Sequence, residues 1–147
     1  MAAVRKADVV WEGTLARGSG KVTAGSSGAF TDLPVSWASR TERSDGKTSP
    51  EELVAAAHAS CFAMALSFGL GNAGSPPERL EVSAEVTFDQ VEGGWKVVSS
   101  ALTVRGTVPG MDAAAFKQAA EGAKENCPIS QALKGNVALS VDASLSN

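Results

Sequence analysis

With 147 residues, 44% of them hydrophobic, the chain can bury one sizeable core and is too short for two independent ones, so a single domain over residues 1–147 is expected. Sixteen acidic against thirteen basic residues give a formal charge of -3 with no long run of either sign, which removes the electrostatic basis for nucleic-acid or anionic-membrane partners. Two cysteines fall short of a disulfide framework, and MAAVRKADVV lacks a secretory apolar stretch, so a cytoplasmic protein with reduced thiols is expected.

The first third reads as short strands at residues 9–14, 20–24 and 33–41, separated by Gly/Ser turns. A helix follows. Ser49 suits the N-cap, Pro50 the first helical position and Glu52 the third, a capping box, and Glu51 adds negative charge at the positive end of the dipole. Leu53, Ala57, Cys61, Met64 and Phe68 form one helical stripe, and Ala55, Ala59, Phe62 and Leu66 another, so the helix is apolar on most sides and expected to be central. Residues 53–77 carry no formal charge, but their Ala, Ser, His, Gly and Pro make them weakly apolar, favouring a buried soluble helix over a membrane span.

Residues 80–88 alternate cleanly, Leu80, Val82, Ala84, Val86 and Phe88 facing one way, and Gly93-Gly94 turns the chain into a second strand at 95–108. After Pro109-Gly110, Asp112 can cap a helix through AAAFKQAAEGAKEN. A short helix starts at Cys127-Pro128, and a last strand at 137–145 is apolar at odd positions. Strands followed by helices, without regular βαβ alternation, indicate an α+β domain with helices against one face of a mainly antiparallel sheet. One small sheet cannot cover a helix apolar on most sides, so a homodimer burying that helix near its two-fold axis is expected.

Two thiols carry the possible chemistry. Sulfur is nucleophilic as thiolate, and Cys61 lies about three turns inside its helix, beyond useful reach of the dipole, so it needs a nearby cation unless it merely fills space. Cys127 is placed to be an N-cap ahead of Pro128, where backbone N–H groups favour a negative sulfur. Local electrostatics therefore leave open which sulfur attacks and which resolves. His58, one turn before Cys61, could bond to it, but a lone histidine on an apolar helix is ordinarily a core residue bonded to a backbone carbonyl. One histidine and two distant cysteines offer no metal-ligand pattern, and no cofactor is implied.

For the cation, Arg40 and Arg43 in SWASRTER and Arg17 in ARGSGK are the candidates. Arg40, flanked by an expected strand, is the one that can be aimed inward. A buried arginine needs a carboxylate, which Glu51 or Glu52 can provide, with capping as the preferred role of Glu52. Glu51 precedes Cys61 by ten residues, about 15 Å along a helix, so either the same chain or a partner chain can bring the pair to the thiol.

SRTE, TSPEELVAAAHASCFAMAL and ENCPISQAL, in this order with a hairpin between the cysteines, resemble the OsmC branch of the OsmC/Ohr family of thiol-dependent peroxidases. VVWEGTLARGSGKV and VPGMDAAAF extend the likeness over nearly the whole chain. The resemblance implies an intertwined α+β homodimer that reduces organic hydroperoxides, with hydrogen peroxide as a secondary substrate, and is restored by a dithiol reductant. It assigns Cys61 as the peroxidatic thiol, Cys127 as the resolving thiol joined to it in a disulfide, and Arg40 with Glu51 as the activating pair. His58 departs from the Ohr branch, whose corresponding helix carries no histidine, and Arg17 lies nearer the position of the Ohr arginine. The apolar residues around Cys61, including Phe62, Met64 and Phe68, suit alkyl or aryl hydroperoxides. Two other functions compete: a non-catalytic dimer enclosing an apolar ligand, and a protein thiol-disulfide oxidoreductase, although the latter usually has both cysteines on one helical turn.

Overall fold

The computed structural model describes residues 1–147, which divide into two compact units, residues 1–53 and residues 54–147. In the first unit, β1 (Asp8–Glu12), β2 (Ser19–Thr23) and β3 (Leu33–Val35) form an antiparallel sheet in that order. Residues 37–41, expected to extend the third strand, instead form a short helix, α1 (Trp37–Thr41). Its cause is local: Ser36 caps the Ser39 N–H, and the Ser39 hydroxyl accepts from the Ser36 N–H, a reciprocal box that outweighs the extended reading.

Helix α2 (Pro50–Asn72) starts at the expected cap, with the Ser49 hydroxyl accepting from the Glu52 N–H at 3.1 Å. The other half of the expected capping box is replaced. The Glu52 carboxylate accepts from the Thr48 hydroxyl at 2.7 Å. By length and a mean hydropathy of 1.7, α2 could cross a bilayer, yet its Phe62, Leu66 and Leu70 face is buried in the protein's own core.

The second unit is built on β4 (Arg79–Val91) and β5 (Gly94–Thr107), an antiparallel hairpin longer at its tip than alternation suggests, with a bulge at Thr87/Phe88. The turn depends on Gly93, whose φ of 98° disfavours any side chain. Helices α3 (Ala113–Asn126), capped by Asp112 at the Ala115 N–H, and α4 (Pro128–Leu133) lead to β6 (Ala138–Leu145). β6 pairs with β5 in parallel, from Ser99↔Ala138 to Gly106↔Leu145, so α3 and α4 form the crossover such a pairing requires. The sheets are thus mainly antiparallel, and the fold is α+β as expected.

The core joins Phe62, Leu66 and Leu70 of α2 to Leu102 and Val104 of β5, Phe116, Ala120 and Ala123 of α3, and Ala143 of β6. Each large apolar side chain buried this completely contributes about 1.5–3 kcal/mol. Gly106 sits so close to the Phe116 ring that an added Cβ would lie 2.5 Å from it, which lets α3 approach the sheet. The other stripe of α2 fares differently: Met64 and Phe68 are each 72% exposed, so α2 is covered along one face and open along another.

Candidate active site

Packing of α2 against α4 brings Cys61 and Cys127, 66 positions apart, side by side as two reduced thiols. Cys127 is the N-cap of α4 with Pro128 at its first position, as the sequence indicates, but its sulfur makes no capping bond and is fully buried. The Ile129 backbone N–H, one of the donors left unpaired by the start of α4, lies close enough to the Cys61 sulfur to act on it. Burial pushes the Cys61 thiol above its ordinary value, the Cys127 contact pushes it further, and the Ile129 N–H opposes both by favouring thiolate. No lysine or arginine of residues 54–147 is among the groups that act on it.

Beside the thiol, Cys61, Met64, Ala65 and Phe68 of α2 face Ala119, Gly122, Ala123 and Asn126 of α3 and Pro128 across an open, largely apolar groove of about 700 Å³. Phe62, expected near the thiol's pocket, is fully buried on the core face of α2 and does not line it.

His58 is fully buried, and its partners are side chains, not a backbone carbonyl. Nδ1 lies 2.7 Å from the Ser100 hydroxyl on β5, and Nε2 lies 2.7 Å from the Ser130 hydroxyl on α4. Both ring nitrogens are thereby occupied, so the imidazole neither bonds to Cys61 nor has a lone pair to spare for a metal. Burial lowers its pKa, keeping the ring neutral. Sequence reasoning missed Ser100, Ser130 and the Ile129 N–H. One signal was present: Ser100 occupies the inward phase of β5, between Val98 and Leu102, where a hydroxyl needs a partner.

In residues 1–53, Arg40 lies in the last turn of α1, and its Nε donates to both Glu51 carboxylate oxygens at 2.7 and 3.2 Å. Arg40 is therefore helical, not strand-borne, and it is aimed at Glu51 because the Ser39 hydroxyl donates to the Thr48 carbonyl and ties α1 to the residues preceding α2. Glu51 is buried, and the guanidinium carbon lies 5.8 Å from the centre of the Trp37 ring. The pair borders an apolar pocket of about 440 Å³ lined by Trp11, Leu15, Val22, Trp37, Pro50 and Leu53, among others. Of the other candidates, Arg17 is exposed between β1 and β2, and Arg43 pairs with Asp45 at the surface.

The arrangement is that of a two-thiol redox protein on an α+β scaffold, and the chain belongs to the OsmC-like protein family, whose defining pattern matches residues 43–142. It is 42% identical to peroxiredoxin OsmC of Escherichia coli (strain K12) over 135 residues, which cover 92% of this chain and 93% of that protein. It is 34% identical to the organic hydroperoxide resistance protein of Xanthomonas axonopodis pv. citri (strain 306), over 61% of this chain and 62% of that one. Among solved structures, organic hydroperoxide resistance protein OhrB of Bacillus subtilis superposes with a TM-score of 0.74 at 26% identity, covering 94% of this chain and 97% of that chain.

Proposed function

We propose that this protein reduces organic hydroperoxides at Cys61, with Cys127 as the resolving thiol. It is a cysteine-based peroxidase with a peroxide-detoxifying role, in line with relatives named peroxiredoxin OsmC and organic hydroperoxide resistance protein. The observation that carries the finer proposal is the thiol–thiol contact beside an apolar groove. Cys61 thiolate attacks the terminal peroxide oxygen, the O–O bond breaks, and the alcohol leaves with a proton while the sulfur becomes sulfenic acid. The Cys127 sulfur then attacks the Cys61 sulfur, expelling water, and a dithiol returns the disulfide to two thiols, consistent with a cytoplasmic setting.

Arg40, oriented by Glu51, supplies the cation that favours thiolate and holds the peroxide oxygen. The active form is a homodimer in which a second copy covers the open Met64–Phe68 face of α2 and closes the groove around an alkyl or aryl hydroperoxide. Peptide mapping after one equivalent of cumene hydroperoxide tests the chemistry: the Cys61 and Cys127 peptides are expected joined with loss of two hydrogens, and their recovery unjoined and unoxidised overturns the proposal. Equal catalytic efficiency for cumene hydroperoxide and hydrogen peroxide would refute the substrate class, and a monomer in sedimentation at micromolar concentration would refute the dimer.

A further inference from the structure

The peroxidase steps leave His58 without a part, although it is fully buried with both nitrogens held at 2.7 Å. Its position relative to the thiols is regular. On α2, His58 precedes Cys61 by three residues, and at the start of α4, Cys127 precedes Ser130 by three, so each pair lies along one side of its own helix. Two contacts bridge these sides, His58 to Ser130 and Cys61 to Cys127, like successive rungs. Helix α4 has only six residues and cannot fix its own place by local bonding, and Ser130 is its buried polar side chain.

We infer that His58 is a positioning residue which, by holding Ser130, keeps the first turn of α4 over α2 so that Cys127 captures the oxidised Cys61 before a second peroxide does. The inference rests on the peroxidase function proposed above. Once Cys61 is sulfenic acid, two reactions compete. Cys127 attacks the Cys61 sulfur, an S–S bond forms, the S–O bond breaks and water leaves. Alternatively, a second hydroperoxide transfers an oxygen to the sulfur, giving sulfinic acid and an alcohol, which a dithiol does not reverse. Disulfide formation requires Cα atoms within about 7 Å and a narrow S–S geometry, so a loosened α4 slows the first reaction without slowing the second. Ser100 holds the same imidazole from β5 and not from α4, which makes it the internal control.

The test is to titrate the reduced full-length protein with cumene hydroperoxide, without added thiol, and to measure by mass spectrometry the ratio of disulfide to Cys61 sulfinic acid at each concentration. Ser130→Ala is expected to reach half sulfinic acid at about tenfold less hydroperoxide than the unaltered protein, in keeping with the loss of one buried hydrogen bond. Ser100→Ala should shift by under about threefold. His58→Gln, the second variant should Ser130→Ala fail to fold, must shift in the same direction as Ser130→Ala. An unchanged ratio in the folded Ser130→Ala protein, or equal shifts in Ser130→Ala and Ser100→Ala, overturns the inference while leaving the peroxidase proposal standing. Absence of both products in the unaltered protein overturns the peroxidase proposal, and the inference with it.

Discussion

Around Cys61 the polar neighbours are a second thiol, a backbone N–H and, one turn back, a neutral imidazole between two hydroxyls. Around Arg40 they are a buried carboxylate at 2.7 Å and an indole ring. Residues 54–147 thus fix the geometry of sulfur chemistry but leave the sulfur in its neutral form, while residues 1–53 hold a cation preorganised by an ion pair. Under the proposed mechanism, geometry and charge come from different stretches of the chain, and substitutions can break them separately.

The largest effect is expected on the sulfur side. Cys61→Ser should lower hydroperoxide consumption by at least about a thousandfold, because a hydroxyl at this site has no base to activate it. Next, Cys127→Ser given a single equivalent of hydroperoxide in the absence of added thiol should leave a sulfenic acid that dimedone traps. Disulfide yield then falls at least about tenfold, whereas a variant that still cross-links contradicts the role of Cys127.

On the charge side, Arg40→Ala should slow sulfenic acid formation about ten- to a hundredfold at neutral pH in stopped-flow measurements. The sign of its pH dependence follows from the causes that raise the Cys61 pKa, burial and Cys127: without a cation brought to the sulfur, thiolate is scarce at neutral pH and accumulates only as pH rises through the ordinary thiol range and beyond. The variant's rate should therefore keep climbing with pH where the unaltered protein has levelled off, and identical profiles would remove Arg40 from the mechanism. The smallest effect belongs to Glu51→Gln, which keeps the guanidinium but loosens its aim. A loss of about three- to tenfold in rate is expected, with about 1–2 kcal/mol of stability by denaturant titration, less than for a fully buried pair because Arg40 is 30% exposed.

The strands and helices of residues 79–145 were legible because their signals are local: alternation from Leu80 to Phe88, the Gly93 turn, the Asp112 cap, and Cys127 ahead of Pro128. Helix α1 was not, since five residues give too little periodicity to read and its defining bonds join two serines common in any loop. The two stripes of α2 looked alike in sequence, but in the single chain Phe62 and Leu66 are buried while Met64 and Phe68 are exposed. The partners of His58 lie 42 and 72 residues away, and such contacts leave no trace in local spacing. The pairing of Arg40 with Glu51 was legible only in part: an inward arginine demands a carboxylate, which left Glu51 and Glu52 open, and the family resemblance pointed to Glu51.

The parallel pairing of β5 and β6 has a consequence for folding. Cys127 rides on the connection between those two strands, so its meeting with Cys61 is expected to follow the docking of β6 on β5.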